Sequence, residues 1–335
     1  MKNENKKILV LGGTGAMGVY LVPELASMGY EVHVVSLDKV ENTDPNITYT
    51  TANAKDDTYL QELLRNKYDA IVDFLIYSTE ELLKRYKMLL ENTDHYIFLS
   101  TYRVYAGESP VNENSPRLLD VSDDRDFLAA AENEYSLYKA LEEDILRNSR
   151  YDNYTIVRPA ITYSKRRFQL VTLEANVVVY RALHGLPVIL PKEALSIRGT
   201  MNWAGDVAKM FSHIILNTAA YKETYTFATA EHHSWEEIAN YYKEIIGLEY
   251  IAVDTETYLK FFGSTAGARY QLLYDRCFNR IVDNSKILRV TGLKQTDFMP
   301  LKDGLAKELA ALPKGIVWDK SGVNDRMDEY LYGNK

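Results

Sequence analysis

Cysteine is nearly absent. A single residue, Cys277, among 335 excludes an intrachain disulfide and any metal centre built on several thiolates. It suits a reducing compartment, and a cytoplasmic protein is expected. Long apolar runs are missing as well. No stretch approaches the roughly eighteen residues of a membrane span, so no membrane association is expected. Lys6-Lys7 precede an apolar run, but it stops at Gly12, too short for a secretory signal core. Positive charge is scarce: 39 Lys and Arg face 47 Asp and Glu, a net charge of −8. That balance argues against broad binding to a nucleic-acid backbone. The 6 histidines are scattered, and the adjacent His232-His233 lacks the i, i+4 spacing of a helical metal pair, so no metal site is expected. There is no internal repeat, low-complexity tract or obvious linker.

What is present is ordinary for a globular enzyme, with 46% hydrophobic and 26% charged residues. The length suffices for one large domain or two modest ones. The 26 tyrosines are unusual; either genome composition or an aromatic substrate cleft would account for them.

The most informative stretch is Ile8-Leu9-Val10-Leu11-Gly12-Gly13-Thr14-Gly15-Ala16-Met17-Gly18. An apolar strand breaks into glycines, and a helical segment follows. Gly12 permits a tight turn, Gly15 keeps side-chain bulk away from a pyrophosphate, and Gly18 lets the helix pack closely on a sheet. The helix N-terminus then turns its free N–H groups and positive dipole toward the phosphates.

Strands are predicted at 7–11, 31–36, 70–74, 95–100 and 155–158, and helices at 19–28, 58–66, 79–91 and 132–148. Alternation at this spacing implies right-handed crossovers and a parallel sheet. After Pro159 helices dominate, at 170–184, 206–217, 234–246, 258–262 and 303–311, with short strand-like pieces at 187–190 and 224–228. The fold class is therefore α/β: a Rossmann-like, doubly wound parallel sheet with a smaller mixed α/β lobe that carries the substrate. The predicted division is 1–165 for the dinucleotide-binding domain and 166–320 for the lobe, with the chain free to cross back, and 321–335 as a polar tail.

Tyr135-Ser136-Leu137-Tyr138-Lys139 holds the sole Tyr-x-x-x-Lys of the chain. On a helix the two side chains share a face. An ammonium one turn away stabilises a phenolate, so the phenol can exchange a proton with a substrate hydroxyl. Upstream, a strand ends in Ser100-Thr101. Thr101 could hold the reacting oxygen, or merely cap a turn.

In order, Gly12-x-x-Gly15-x-x-Gly18, Ser100-Thr101-x-x-Val104-Tyr105, Tyr135-x-x-x-Lys139 and Arg158-Pro159-x-x-x-Tyr163 resemble the short-chain dehydrogenase/reductase superfamily. The spacing fits its extended or atypical branch, the NAD-dependent epimerase/dehydratase proteins. The resemblance runs from about residue 6 to residue 312, more softly in the second half. It implies that Gly12, Thr14, Gly15, Ala16, Met17 and Gly18 hold the pyrophosphate. It implies Thr101, Tyr135 and Lys139 as the catalytic set, with Lys139 also bonding the cofactor ribose. Ser100, Phe74, Leu75, Pro159, Ala160 and Ile161 would border the cofactor.

Departures from the family pattern matter. The acid that selects NAD falls on Ser36, with Asp38 and Lys39 close behind, so the cofactor is read as NAD with NADP allowed. The adenine-contacting acid aligns with Asn53. Tyr102 and Arg103 replace the acidic pair of sugar dehydratases, which disfavours dehydration and decarboxylation. Tyr163 and Arg198 are weak candidates for substrate contacts. Lys165-Arg166-Arg167 could face a phosphate or be solvated.

The resulting expectation is an NAD(P)-dependent oxidoreductase or epimerase moving hydride at a hydroxyl-bearing carbon, with a nucleotide sugar as a candidate substrate. The alternatives are a catalytically silent NAD(P)-binding regulator, associated with protein or RNA, and a reductase of a small carbonyl compound. A homodimer is implied by analogy alone.

Overall fold

The computed structural model describes residues 6–107, 110–313 and 315–333. Its centre is a seven-stranded, fully parallel sheet. Along the sheet the order is Glu223–Phe227, β6 (Tyr154–Pro159), β5 (Thr93–Leu99), β4 (Tyr68–Asp73), β1 (Lys7–Leu11), β2 (Glu31–Ser36) and β3 (Ile47–Thr51). Strand β1 pairs with β2 on one side and β4 on the other, so the winding direction reverses there. A crevice opens outside the carboxyl ends of the strands at such a reversal.

The central strands read as continuous apolar runs because helices cover both faces. Ile8, Leu9, Val10 and Leu11 are all fully buried. Helix α1 (Gly18–Ser27) and the Ala204–Ile214 helix pack on one face. Helices α2 (Asp57–Leu63), α3 (Thr79–Glu91) and the Tyr135–Arg147 helix cover the other. Local chemistry sets the helix ends. Ser78 and Glu81 form a reciprocal capping box at the start of α3. Ser234 and Glu237 do the same for Trp235–Ile246, which stops at left-handed Gly247.

Several predicted elements shift. Strand β3 was not predicted, because Ile-Thr-Tyr-Thr-Thr at a half-exposed edge has no apolar run. The piece predicted at 224–228 is the seventh strand of the main sheet, paired with β6. The chain therefore returns to the first layer after entering the second, and a boundary at 165 does not separate the layers. The helix predicted at 170–184 begins only at Ala175. Ahead of it Gln169–Leu170 folds back on Leu173–Glu174, with Val171 at φ 54° in the turn. Residues 321–335 are not simply a tail: Gly322–Tyr332 is a helix. Its Met327 is buried, its Asn324 donates to the Asn176 carbonyl at 2.8 Å, and its Asp328 pairs with Arg181 at 2.9 Å.

In β5, His95 is wholly buried. Its Nδ1 accepts the Leu216 N–H at 3.0 Å, and its Nε2 meets the Thr155 hydroxyl at 2.8 Å. That hydroxyl donates to the Ala220 carbonyl, so Nε2 carries the proton. Burial pushes the imidazole down to about 3 from 6.5. The unfolded chain takes up this proton first, so stability is present above 6.5 and is lost as pH falls toward 3. Between about pH 7 and about pH 5 the wild type should therefore lose about 2 kcal/mol that His95→Gln does not. Urea unfolding at the two pH values reads the difference; equal losses would refute the buried neutral ring.

Candidate active site

The glycine loop follows β1 at the reversal point. Gly12 has φ +73°, which its tight turn requires, and its N–H donates to Val35 O at 2.8 Å. A β-carbon there would meet Leu75 Cδ2 at 3.3 Å and Phe74 Cβ at 3.5 Å. Both flanking residues follow β4 directly, so Phe74 and Leu75 wall the loop. At Gly18 a β-carbon would lie 2.2 Å from the Gly13 carbonyl oxygen, and nothing there can yield. Gly15 is exposed, and a β-carbon on it would meet only the Gly12 oxygen, at 3.7 Å. Helix α1 has no side-chain cap at Met17. An open cradle under an uncapped helix N-terminus fits a pyrophosphate.

The two glycines should fail differently. Gly18→Ala should destabilise the fold by about 1–3 kcal/mol through overpacking. Gly15→Ala should leave the melting temperature of the free protein unchanged and abolish NADH binding. Thermal melts beside a fluorescence titration separate the two, and a normal melt for Gly18→Ala would contradict the packing argument.

Beyond the loop, Thr14 is buried and its hydroxyl meets that of Ser36 at 2.6 Å. Ser36 Oγ also accepts the Asp38 N–H at 3.1 Å. Asn53 lies exposed past the end of β3, its amide oxygen accepting the Lys55 N–H at 3.0 Å. Between these groups the ribose and adenine ends of a dinucleotide would lie.

A cleft of about 450 Å³ continues from Met17 along the strand ends. Thr101, Tyr135, Pro159, Ala160 and Ile161 all border it. Thr101 also accepts the Arg103 N–H at 3.2 Å and caps the short turn Tyr102–Val104. The turn-capping reading of that threonine is thus seen directly, and its place at the cleft leaves the other open. Ser100 borders the cleft too; its hydroxyl donates to Glu143 at 2.6 Å, so toward a ligand it could only accept.

Below the cleft floor lies a charged layer. Arg158 grips Glu143 with Nε at 2.8 Å and Nη2 at 2.5 Å, and both side chains are buried. Burial alone would raise the Glu143 carboxyl; the Arg158 guanidinium outweighs it and holds the group low. Asp73 ends β4, fully buried, and accepts from the Tyr77 hydroxyl at 3.0 Å, the Tyr96 hydroxyl at 2.9 Å and the Leu75 N–H at 3.0 Å. Burial raises its carboxyl.

Lys139 departs from its expected place. Its ammonium does not border the cleft but lies 2.8 Å from Glu142, and both are buried. Neither makes a directed hydrogen bond, so the contact is ionic. The ammonium also sits 4.7 Å from the centre of the Phe98 ring. Burial pushes Glu142 up to about 7, against the pull of Lys139. The cause is visible in the sequence: Glu142-Glu143 fall on the buried face of the helix, where Glu142 competes for the lysine. The Tyr135 ring instead has the Arg103 guanidinium 5.3 Å from its centre and Tyr138 edge-on at 5.5 Å.

Two weak candidates fall outside the cleft. Tyr163 is buried in the core against Gly304, where a β-carbon would strike its hydroxyl at 1.9 Å. Arg198 is exposed in a two-residue strand paired with Ser234. The cationic lining comes instead from Arg103, Arg167 and Arg276, joined by Gln169, Glu174 and Gln271. Of the Lys165–Arg167 run, Lys165 and Arg166 are exposed and only Arg167 reaches the cleft. Arg276 carries no sequence signal, because π-helical winding over Leu272–Arg276 aims it inward. Among the described residues no group of three or more metal-ligating side chains comes together, and no helix is long and apolar enough to cross a membrane.

Known proteins share this fold. The structure resembles a putative epimerase from Burkholderia cenocepacia at TM-score 0.68 and 16% identity, covering 92% of this chain and 98% of that one. It resembles the Bordetella bronchiseptica enzyme WbmH, solved in complex with NAD+, at TM-score 0.67 and 16% identity, covering 98% and 100%. A Thermotoga maritima UDP-glucose 4-epimerase, solved with UDP-glucose, matches at TM-score 0.64 and 18% identity over 91% and 97%. No curated protein matches the sequence. The model of the NAD dependent epimerase/dehydratase family matches residues 8–228, and the chain belongs to that family.

Proposed function

We propose that this chain is an NAD-dependent enzyme of the epimerase or oxidoreductase kind, acting at a hydroxyl-bearing carbon of a nucleotide sugar. One observation carries the reading: Thr101, Tyr135 and the Pro159–Ile161 wall share a cleft that runs from an uncapped helix N-terminus. NAD, when bound, supplies the hydride acceptor and donor. Gly15, Ala16 and Met17 present backbone to its pyrophosphate. Ser36 and Asp38 offer oxygens to the adenosine ribose, which favours NAD over a 2′-phosphorylated cofactor. Pro159, Ala160 and Ile161 keep water from the nicotinamide face. Thr101 holds the substrate oxygen. Tyr135 takes the hydroxyl proton as the carbon–hydrogen bond breaks and returns it on reduction. Tyr102 and Arg103 stand after Thr101 where an eliminating enzyme needs acids, so simple oxidation and re-reduction suits the site better than dehydration. The neighbour solved with UDP-glucose supports a nucleotide sugar.

Mass spectrometry of the nucleotide released by acid tests the first half. NAD retained through purification indicates a cycle that regenerates its cofactor, as epimerisation does. A protein that retains none but binds added NADH is an exchanging dehydrogenase or reductase. Failure to bind NAD, NADH or NADPH refutes the proposal. Incubation with UDP-glucose, followed by NMR of the sugar, tests the second half.

A further inference from the structure

The substrate end of the cleft carries more positive charge than its carboxylates balance. Arg103, Arg167 and Arg276 reach it from three separate stretches of chain. Arg280 lies fully buried behind them. Arg276 is paired with Asp275, and the same carboxylate serves Arg280 at 3.3 Å and Arg103 at 3.7 Å. Arg103 also pairs with Glu134 at 3.0 Å, and Arg167 lies 3.7 Å from Glu174. Four guanidiniums thus face three carboxylates, Asp275, Glu134 and Glu174. Burial pulls Arg276 and Arg280 down to about 10, and repulsion from Arg103 acts in the same direction on both. The cluster is therefore one carboxylate short, and one buried Arg103 N–H, at Nε, lacks an acceptor. Such a deficit is costly, and an incoming anion removes it.

The position of Arg103 says where on the substrate the anion sits. It follows Thr101 by two residues, and its guanidinium carbon is 5.3 Å from the centre of the Tyr135 ring. A group gripped there lies beside the Tyr135 ring, on the same side of the cleft as the hydroxyl that Tyr135 serves in the proposal. For a carbinol across the sugar ring from the anomeric oxygen, the diphosphate of a nucleotide sugar cannot reach that position. A planar carboxylate matches the guanidinium fork. We infer that Arg103, with Arg276 behind it, receives a carboxylate borne next to the reacting carbon, so that the substrate is an acidic sugar of the uronic type. This rests on the proposal that Thr101 and Tyr135 hold the reacting hydroxyl.

The test compares acid with neutral partner twice, using NAD-saturated protein: UDP-glucuronate against UDP-glucose by calorimetry, and glucuronate against glucose by saturation-transfer NMR. The acid should bind about tenfold tighter or better in each pair, as expected for a charge-assisted bond. Arg103→Met should bring the ratio of acid to neutral affinity, read within the variant itself, close to one, and Arg103→Lys should keep part of the preference. A preference seen only with the free sugars supports the carboxylate grip and refutes the nucleotide handle. No preference in either pair overturns the inference, even where UDP-glucose binds well. A third arm, glucose 6-phosphate, binding tighter than glucuronate would overturn the carboxylate assignment in favour of a phosphate.

Discussion

Tyr135→Phe is expected to lower turnover by on the order of 100-fold or more, the usual worth of a positioned general acid–base. The substitution removes one oxygen at the border of the cleft and leaves the ring beside Arg103 and Tyr138 intact. Cofactor binding and melting temperature should therefore stay at wild-type values, so that the loss appears in kcat alone. The measurement is turnover with whichever nucleotide sugar the NMR screen identifies, beside an NADH titration of the same preparation. Turnover within about threefold of wild type would remove Tyr135 from the acid–base role.

The second large effect belongs to the layer below. Glu143→Ala should cost about 3–5 kcal/mol, because it strands the Arg158 guanidinium in a dry interior. Arg158 is buried and holds Glu143 through two bonds, and Ser100 donates to the same carboxylate at 2.6 Å. The residue after Ser100 is Thr101, so the loss should also loosen the reacting-oxygen site. Glu143→Gln keeps one acceptor and should cost less. Urea unfolding of the two variants measures the difference. A loss below about 1 kcal/mol for Glu143→Ala would mean that the arginine finds water or another acid.

Much of the cofactor half was legible in the sequence, for local reasons. The run from Ile8 to Gly18 encodes a buried strand, a turn that needs positive φ at Gly12 and a helix start without a cap. Each depends on neighbours a few residues away, and periodicity captures that. The α3 helix was predicted to its exact ends, because its capping box lies in one stretch of chain. The order of Thr101, Tyr135 and Pro159 along the chain carried the family resemblance, and the three do meet at one cleft. Edge strand β3 was not legible, because a half-exposed strand has little apolar signal.

The substrate half was hidden because its contacts are long-range. Nothing around Arg276 marks it as a cleft residue; π-helical winding places it beside Arg103, far away in the chain. Gln169 and Glu174 reach the cleft through a hairpin where a helix was predicted. Tyr163 fits the family spacing and Arg198 lies about one residue off it, yet one is buried in the core and the other faces solvent. Lys139 shares a helix face with Tyr135, but a buried glutamate from the next turn holds its ammonium away from the cleft. The sequence by itself determined the parallel α/β sheet, the glycine cradle and the family, because strand, turn and helix starts are local events. Only the tertiary structure decided the charge balance at the substrate end. Which guanidinium meets which carboxylate depends on burial and on distances between residues remote in the chain.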